Sequence, residues 1–217
     1  MTRQAALFDL DGVLLDSGPA VRTALASVAT CATGRRTIPA DLPPDALHRP
    51  RAEILTLLGV TDPDGACARW WDGALAAALP ATFPGVLTGL LALRDADVAL
   101  GVVTLQDRDR LTWFLPPALT DLLDVVITRQ DAPAKPAPDG LHAALARVDV
   151  LPEQAVFVGD SPGDMTAACA AGVIALGATW GWHTPAALHT AGAHHLLPDP
   201  TRIGPSLLHH LAPIPAS

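Results

Sequence analysis

At 217 residues, half of them hydrophobic, the chain is long enough for one core domain with a modest insertion and too apolar to be disordered. A net charge of −8 argues against a nucleic-acid backbone or an anionic membrane as the main partner, while one local cationic pocket would still accept a phosphorylated small molecule. Cys31, Cys67 and Cys169 are odd in number and form no C-x-x-C pair, which argues against a disulfide framework or a zinc site and for a reducing cytoplasm.

The chain opens on a short apolar run, residues 5–8, closed by Asp-Leu-Asp-Gly, which predicts a buried strand ending in a turn at Gly12. Asp9 and Asp11 interrupt what would be the apolar region of a signal peptide, so none is expected. No apolar run approaches the roughly 18 to 20 residues that span a bilayer. Residues 17–81 break into predicted helices over 20–29, 51–58 and 66–79, joined by Pro- and Gly-rich connections. After Phe83-Pro84-Gly85 the pattern becomes an alternation. Strands are predicted over 98–103, 125–127, 155–158 and 173–176, with helices over 86–94 and 139–148. The Pro- and His-rich tail after Ile203 predicts a terminal helix with a frayed end. The expected fold is therefore α/β, a Rossmann-like parallel sheet with helices on both faces. Residues 1–16 and 82–217 would form this core, and residues 17–81 an all-helical cap inserted after the first strand.

In an open parallel sheet, ligands bind beyond the carboxyl ends of the strands. The residues at those ends are therefore the first candidates for a site. Asp9 and Asp11 come after the first strand, Thr104 after the second, Lys135 lies in the loop after the third, and Asp160 and Asp164 come after the fourth. Asp9 and Asp11, two residues apart, project from one face of an extended chain and repel each other unless a cation lies close or one is protonated. A hard Mg²⁺ beside Asp9 and Asp160, and a carboxyl able to carry a proton, both serve phosphoryl transfer. Lys135 is the only lysine, and its compact ammonium fits between a carboxylate and a phosphate oxygen where a guanidinium would not. Ser161 is a predicted helix N-cap with Pro162 at the first helical position, and Asp164 stands where a capping-box carboxylate belongs, so it has a structural reading beside the functional one. Thr104 reads either as a strand residue or as a phosphate-binding hydroxyl. Trp180 and Trp182 come after the fifth strand and are candidates for the crevice rim. Trp70 and Trp71 are expected to pack helices, and the adjacent pairs His194-His195 and His209-His210 to lie on the surface or in a strand.

Together, residues 8–17 (FDLDGVLLDS), Thr104, Lys135-Pro-Ala-Pro and residues 159–164 (GDSPGD) resemble the haloacid dehalogenase-like hydrolase superfamily. The resemblance covers nearly the whole chain and lies with the phosphoglycolate phosphatase and beta-phosphoglucomutase branch, which carries a helical cap at this point. It implies that Asp9 attacks phosphorus to form an aspartyl-phosphate and that Asp11 is general acid, then general base. The same resemblance implies that Asp9, the Asp11 carbonyl and Asp160 hold Mg²⁺, with Asp164 orienting water there, and that Thr104 and Lys135 bind the phosphoryl group. Asp11 also favours phosphate esters, because dehalogenases and phosphonatases of this superfamily lack it. The second motif departs from the usual Asn, Ser or Gly by continuing Leu105-Gln106, and Arg49 and Arg51 fall near a substrate-specificity loop of related enzymes. The expected activity is hydrolysis of a small phosphorylated metabolite by a monomer or homodimer. The rival readings are a phosphomutase that returns the phosphoryl group to a sugar, and a non-catalytic phospho-receiver module, which would carry its acceptor Asp on a later strand.

Overall fold

A computed structural model describes residues 3–211. In chain order the elements are β1 (Gln4–Phe8), β2 (Leu15–Asp16), α1 (Gly18–Thr33), α2 (Arg51–Leu57), α3 (Pro63–Ala76), β3 (Ala81–Thr82), α4 (Val86–Asp95), β4 (Val98–Val103), α5 (Arg108–Phe114), α6 (Pro117–Thr120), β5 (Val125–Ile127), α7 (Asp139–Val148), β6 (Ala155–Gly159), α8 (Pro162–Ala171), β7 (Ile174–Ala178), α9 (Pro185–Thr190), β8 (His195–Leu197) and α10 (Ile203–Leu211), with short 3₁₀ turns between some of them. They fall into two compact units. One comprises the residues up to Leu15 and from Thr82 on, the other Asp16–Ala81.

The first unit is built on six parallel strands in the order β5-β4-β1-β6-β7-β8. β1 and β6 are apolar at almost every position because both faces of a parallel sheet are covered. Ala5, Leu7, Ala155 and Phe157 share one buried cluster with Leu141, Ala144 and Leu145 of α7, Met165 of α8 and Leu188 of α9. Full burial of a side chain such as Phe157 contributes about 1.5–3 kcal/mol. α4 and α10 pack together, α4 also meeting β4 and α10 meeting β6. From β1 the chain runs outward through β4 and β5, then returns to β6 on the other side and continues to β7 and β8. The strand order therefore reverses beside β1, where the open-sheet rule expects a binding crevice.

The second unit is helical. α1 and α3 pack on each other and α2 joins both. Leu25, Val28, Ile54, Leu55, Trp71 and Leu75 are buried there. α1 closes on Gly34, whose φ of 69° satisfies a left-handed C-cap. The predicted helix over 66–79 runs instead over Pro63–Ala76, because Asp62 caps its start by accepting from the Gly65 N–H at 3.0 Å and Pro63 suits the first turn.

The strand predicted over 173–176 runs over Ile174–Ala178, β8 realises the strand alternative for His195, and α5, α6 and α9 were not predicted as elements. β8 is three residues long at the sheet edge, with only Leu197 buried, too short to register as an apolar run. The terminal helix is α10; the frayed end expected beyond it lies outside the described residues. No helix among the described residues is long and apolar enough to cross a membrane.

Candidate active site

β1 ends with Phe8 level with Val102 and Val158, and the Asp9 N–H donates to the Val158 carbonyl at 2.9 Å. Asp9 therefore leaves the sheet beside the end of β6, where Gly159 gives way to Asp160. One carboxylate oxygen from each of Asp9, Asp160 and Asp164 lies within 4.8 Å of the others. Lys135 reaches the same place from the loop after β5. Its Nζ stands 3.0 Å from Asp9 Oδ1 and 2.6 Å from Asp164 Oδ1, and it donates to the Val103 carbonyl at 3.0 Å. Its side chain is 7% exposed and that of Asp164 is fully buried, so bulk water screens this ion pair little.

Each carboxylate is held by the backbone around it. Asp9 Oδ1 accepts from the Leu10 N–H at 2.8 Å as well as from Lys135. Asp160 Oδ2 accepts from the Trp182 N–H at 2.8 Å. Asp164 is the capping-box residue its position predicted: Oδ2 accepts from the Ser161 N–H at 3.0 Å and the Ser161 hydroxyl at 2.6 Å, and Oδ1 faces Lys135. Its structural and electrostatic roles coexist on opposite oxygens.

One ammonium does not neutralise this group. Burial is the largest influence on Asp9; Lys135 opposes it, but the charges of Asp164 and Asp11 add to it, and the carboxyl is pushed up to about 7. Burial, with Asp9 and Asp164 beside it, raises Asp160 well above the usual carboxylate range, against the pull of the Trp182 N–H and Lys135. Burial alone would lower Lys135, but Asp164 and Asp9 outweigh it and hold the ammonium above its ordinary value. A buried, all-oxygen cluster with negative charge in excess suits a hard divalent cation, so the residues present fit Mg²⁺.

Asp11 joins the site from the turn after Asp9, where its Oδ2 accepts from Gln106 Nε2 at 2.6 Å. Thr104 is buried, and its Oγ1 accepts from the Gln106 N–H at 3.1 Å, which leaves the hydroxyl proton available to a ligand. Arg49 and Arg51 belong to the second unit. Arg49 pairs with Glu53 at 2.9 Å and Asp45 at 3.7 Å, and the Arg51 guanidinium lies 3.6 Å from the ring centre of Trp71.

Several contributors make contacts that the sequence did not specify. Gln106 is one, and the loop after β7 supplies the others. Trp182 holds Asp160 through its backbone, and Trp180 Nε1 donates to the Val13 carbonyl at 3.2 Å. Gly181 lies so close to Asp160 that a Cβ there would collide with its side chain, and a Cβ at Gly12 (φ 77°) would meet the same carboxylate. Trp180 and Trp182 were candidates for the crevice rim from their place after the fifth strand; their hold on Val13 and Asp160 was not.

A family model described as haloacid dehalogenase-like hydrolase matches residues 6–178, a span holding every carboxylate above and Lys135. This chain belongs to that family. Validoxylamine A 7'-phosphate phosphatase of Streptomyces hygroscopicus subsp. limoneus is 35% identical over 94% of this chain and 99% of its own length. Among solved structures, a Lactobacillus plantarum protein assigned to the phosphoglycolate phosphatases is 31% identical, with a TM-score of 0.74 over 94% of this chain and 98% of that one. A Thermotoga maritima protein assigned to the beta-phosphoglucomutases reaches a TM-score of 0.76 at 24% identity, over 95% and 99% of the two chains, and shares the fold.

Proposed function

We propose that the chain is a Mg²⁺-dependent phosphatase that hydrolyses a small phosphorylated metabolite through a phosphoryl group carried on Asp9. The observation that carries this reading is the convergence of Asp9, Asp160, Asp164 and Lys135 at one edge of the sheet. Asp9 Oδ1 is anchored by Leu10 and Lys135, so the carboxylate presents Oδ2 in a fixed direction, the requirement for an in-line attack on phosphorus. Asp11 gives a proton to the leaving alcohol and then takes one from the water that cleaves the aspartyl-phosphate. Lys135 and the Thr104 hydroxyl balance the phosphoryl oxygens. Asp9 and Asp160, with the Asp11 carbonyl, would hold Mg²⁺, and Asp164 would support it; when bound, the ion supplies positive charge against the phosphate and favours ionised Asp9.

The helical unit serves as the family's cap in this reading, and Arg49 and Arg51 are the residues to exchange first when testing specificity. Three free cysteines accord with action in the cytoplasm.

The test is phosphate release with Mg²⁺ from an aryl phosphate, then from a panel headed by validoxylamine A 7'-phosphate and phosphoglycolate, the substrates in the names of the relatives. Asp9→Asn should abolish release while circular dichroism stays unchanged; activity near that of the native chain would refute the nucleophile. A sugar phosphate whose phosphoryl group moves to another hydroxyl faster than phosphate is freed would turn the assignment to a mutase.

A further inference from the structure

The second motif departs from the family pattern by continuing Leu105-Gln106, and the geometry shows what Gln106 contacts there. Gln106 lies just before α5 and reaches back across the site to Asp11. Its Nε2 donates to Asp11 Oδ2 at 2.6 Å, while its Oε1 accepts from Arg110 Nη1 at 2.7 Å, one helical turn further on. Arg110 is only 11% exposed and also pairs with Asp107, Nη2 to Oδ2 at 3.3 Å. Asp107 in turn accepts from Arg129 Nε at 2.5 Å and Gln130 Nε2 at 2.9 Å, which ties the loop to the segment after β5.

The order of donors and acceptors decides the orientation of the amide. A guanidinium can only donate, so Arg110 must face the carboxamide oxygen, and the NH₂ group is thereby turned toward Asp11. Flipping the amide would set NH₂ against guanidinium and a carbonyl oxygen against a carboxylate, losing both bonds at once. The contact to Asp11 is a short hydrogen bond within a connected network, the kind that holds a side chain in one place.

We propose that Gln106, oriented by Arg110, is a positioning residue for Asp11. It fixes the carboxyl group that delivers the proton to the leaving oxygen. This rests on the reading of Asp11 as the proton carrier under Proposed function. Proton delivery matters most when the departing alcohol is a poor leaving group and hardly at all when it leaves readily as an anion. The role therefore shows as a dependence on the alcohol, which a general loosening of the site would not produce.

The experiment measures kcat/KM, which reports phosphoryl transfer to Asp9, for the Mg²⁺-loaded chain across dinitrophenyl, nitrophenyl, phenyl and alkyl phosphates. Gln106→Leu should lower the value for alkyl esters about 10- to 100-fold and change that for the dinitrophenyl ester by less than about threefold. Gln106→Glu keeps an acceptor for Arg110 but replaces the NH₂ that reaches Asp11 with a carboxylate oxygen, and should show the same steepened dependence. Arg110→Met should move in that direction, and Arg110→Lys should restore much of the lost alkyl-ester activity.

An equal loss across the series, or no loss in either Gln106 variant, overturns the proposal. Asp11→Ala separates the two levels. If its loss is also flat across the series, Asp11 is not the proton donor and the parent reading fails. If Asp11→Ala is steep while both Gln106 variants are flat, only the role of Gln106 fails.

Discussion

Lys135 Nζ lies 2.6 Å from Asp164 Oδ1, and the other oxygen of that carboxylate is hydrogen-bonded to Ser161 at the start of α8. The lysine is thus positioned by a helix cap. The same contacts that satisfy two orphan groups at the α8 N-terminus hold a carboxylate still, and that carboxylate holds the ammonium beside Asp9.

Removing the ammonium should expose this dependence. Lys135→Met leaves buried carboxylates without their counter-charge, and in metal-free protein near pH 8 should cost about 3 kcal/mol in urea unfolding. The deficit should shrink toward about pH 5, because the raised carboxyl groups then take up protons and need no partner. An equal deficit at both pH values would show that the ion pair is not its source. Lys135→Arg should lower phosphate release by about 100-fold or more, because a guanidinium fork does not fit between Asp9 and Asp164.

Asp160→Asn should stabilise the metal-free chain and remove its response to Mg²⁺. The folded state raises Asp160 above its unfolded value, so the native chain binds the extra proton and loses stability as pH climbs above about 4. The advantage of the variant in EDTA should grow over the same range. Mg²⁺ at a hundred times its dissociation constant should add about 2.7 kcal/mol to the native chain and almost nothing to the variant. The idea fails if thermal melts show a variant that is less stable in EDTA near pH 8, or one that keeps the Mg²⁺ response.

A pH effect of opposite sign is expected far from the carboxylates. The His195 and His210 rings stack with centroids 4.2 Å apart, and His209 lies 5.5 Å from His210. Burial, reinforced by the neighbouring imidazoles His195 and His209, lowers His210 below its ordinary value. A base lowered on folding costs nothing while it is neutral. Its penalty begins as pH falls below the unfolded value of about 6.5 and is complete below the folded one. His210→Gln should therefore unfold at the same urea concentration as the native chain near pH 8 and at a higher one near pH 5. Parallel curves at the two pH values would rule this out.

The sheet and its acidic residues were legible because the signals are local. A parallel strand buried on both faces is an apolar run, and a residue just past its end must lie at the carboxyl edge whatever the loops do, so Asp9, Lys135 and Asp160 could be placed from their positions alone. Asp164 was legible twice, as a cap and as a site residue, and the structure gives it both contacts. The contact from Gln106 to Asp11 was not legible, since it joins residues 95 apart in sequence through a side chain whose direction Arg110 decides. Nor was the support given to Asp160 by residues 181 and 182, which depends on how the loop after β7 folds back over β6. The roles of Arg49 and Arg51 depend on what approaches them, and no local signal carries that.

Gly181 gives the sharpest check on that loop. A methyl group at this position would occupy the space of the Asp160 side chain, so Gly181→Ala must displace either the carboxylate or the backbone that carries the Trp182 N–H. Both movements loosen a carboxylate proposed to hold Mg²⁺. Losing such support costs about 10- to 100-fold in metal affinity, and Mg²⁺ titration calorimetry should find a loss of that size, with phosphate release falling in step at limiting Mg²⁺ and recovering in part at saturation. Gly73→Ala is the matched control. That glycine lies within α3 with open space where its Cβ would go, so the added methyl should raise stability by up to about 1 kcal/mol and leave Mg²⁺ binding unchanged. Native Mg²⁺ affinity in Gly181→Ala would mean that the loop after β7 yields more readily than the carboxylate it holds, and Asp160 would then owe its position to β6 alone.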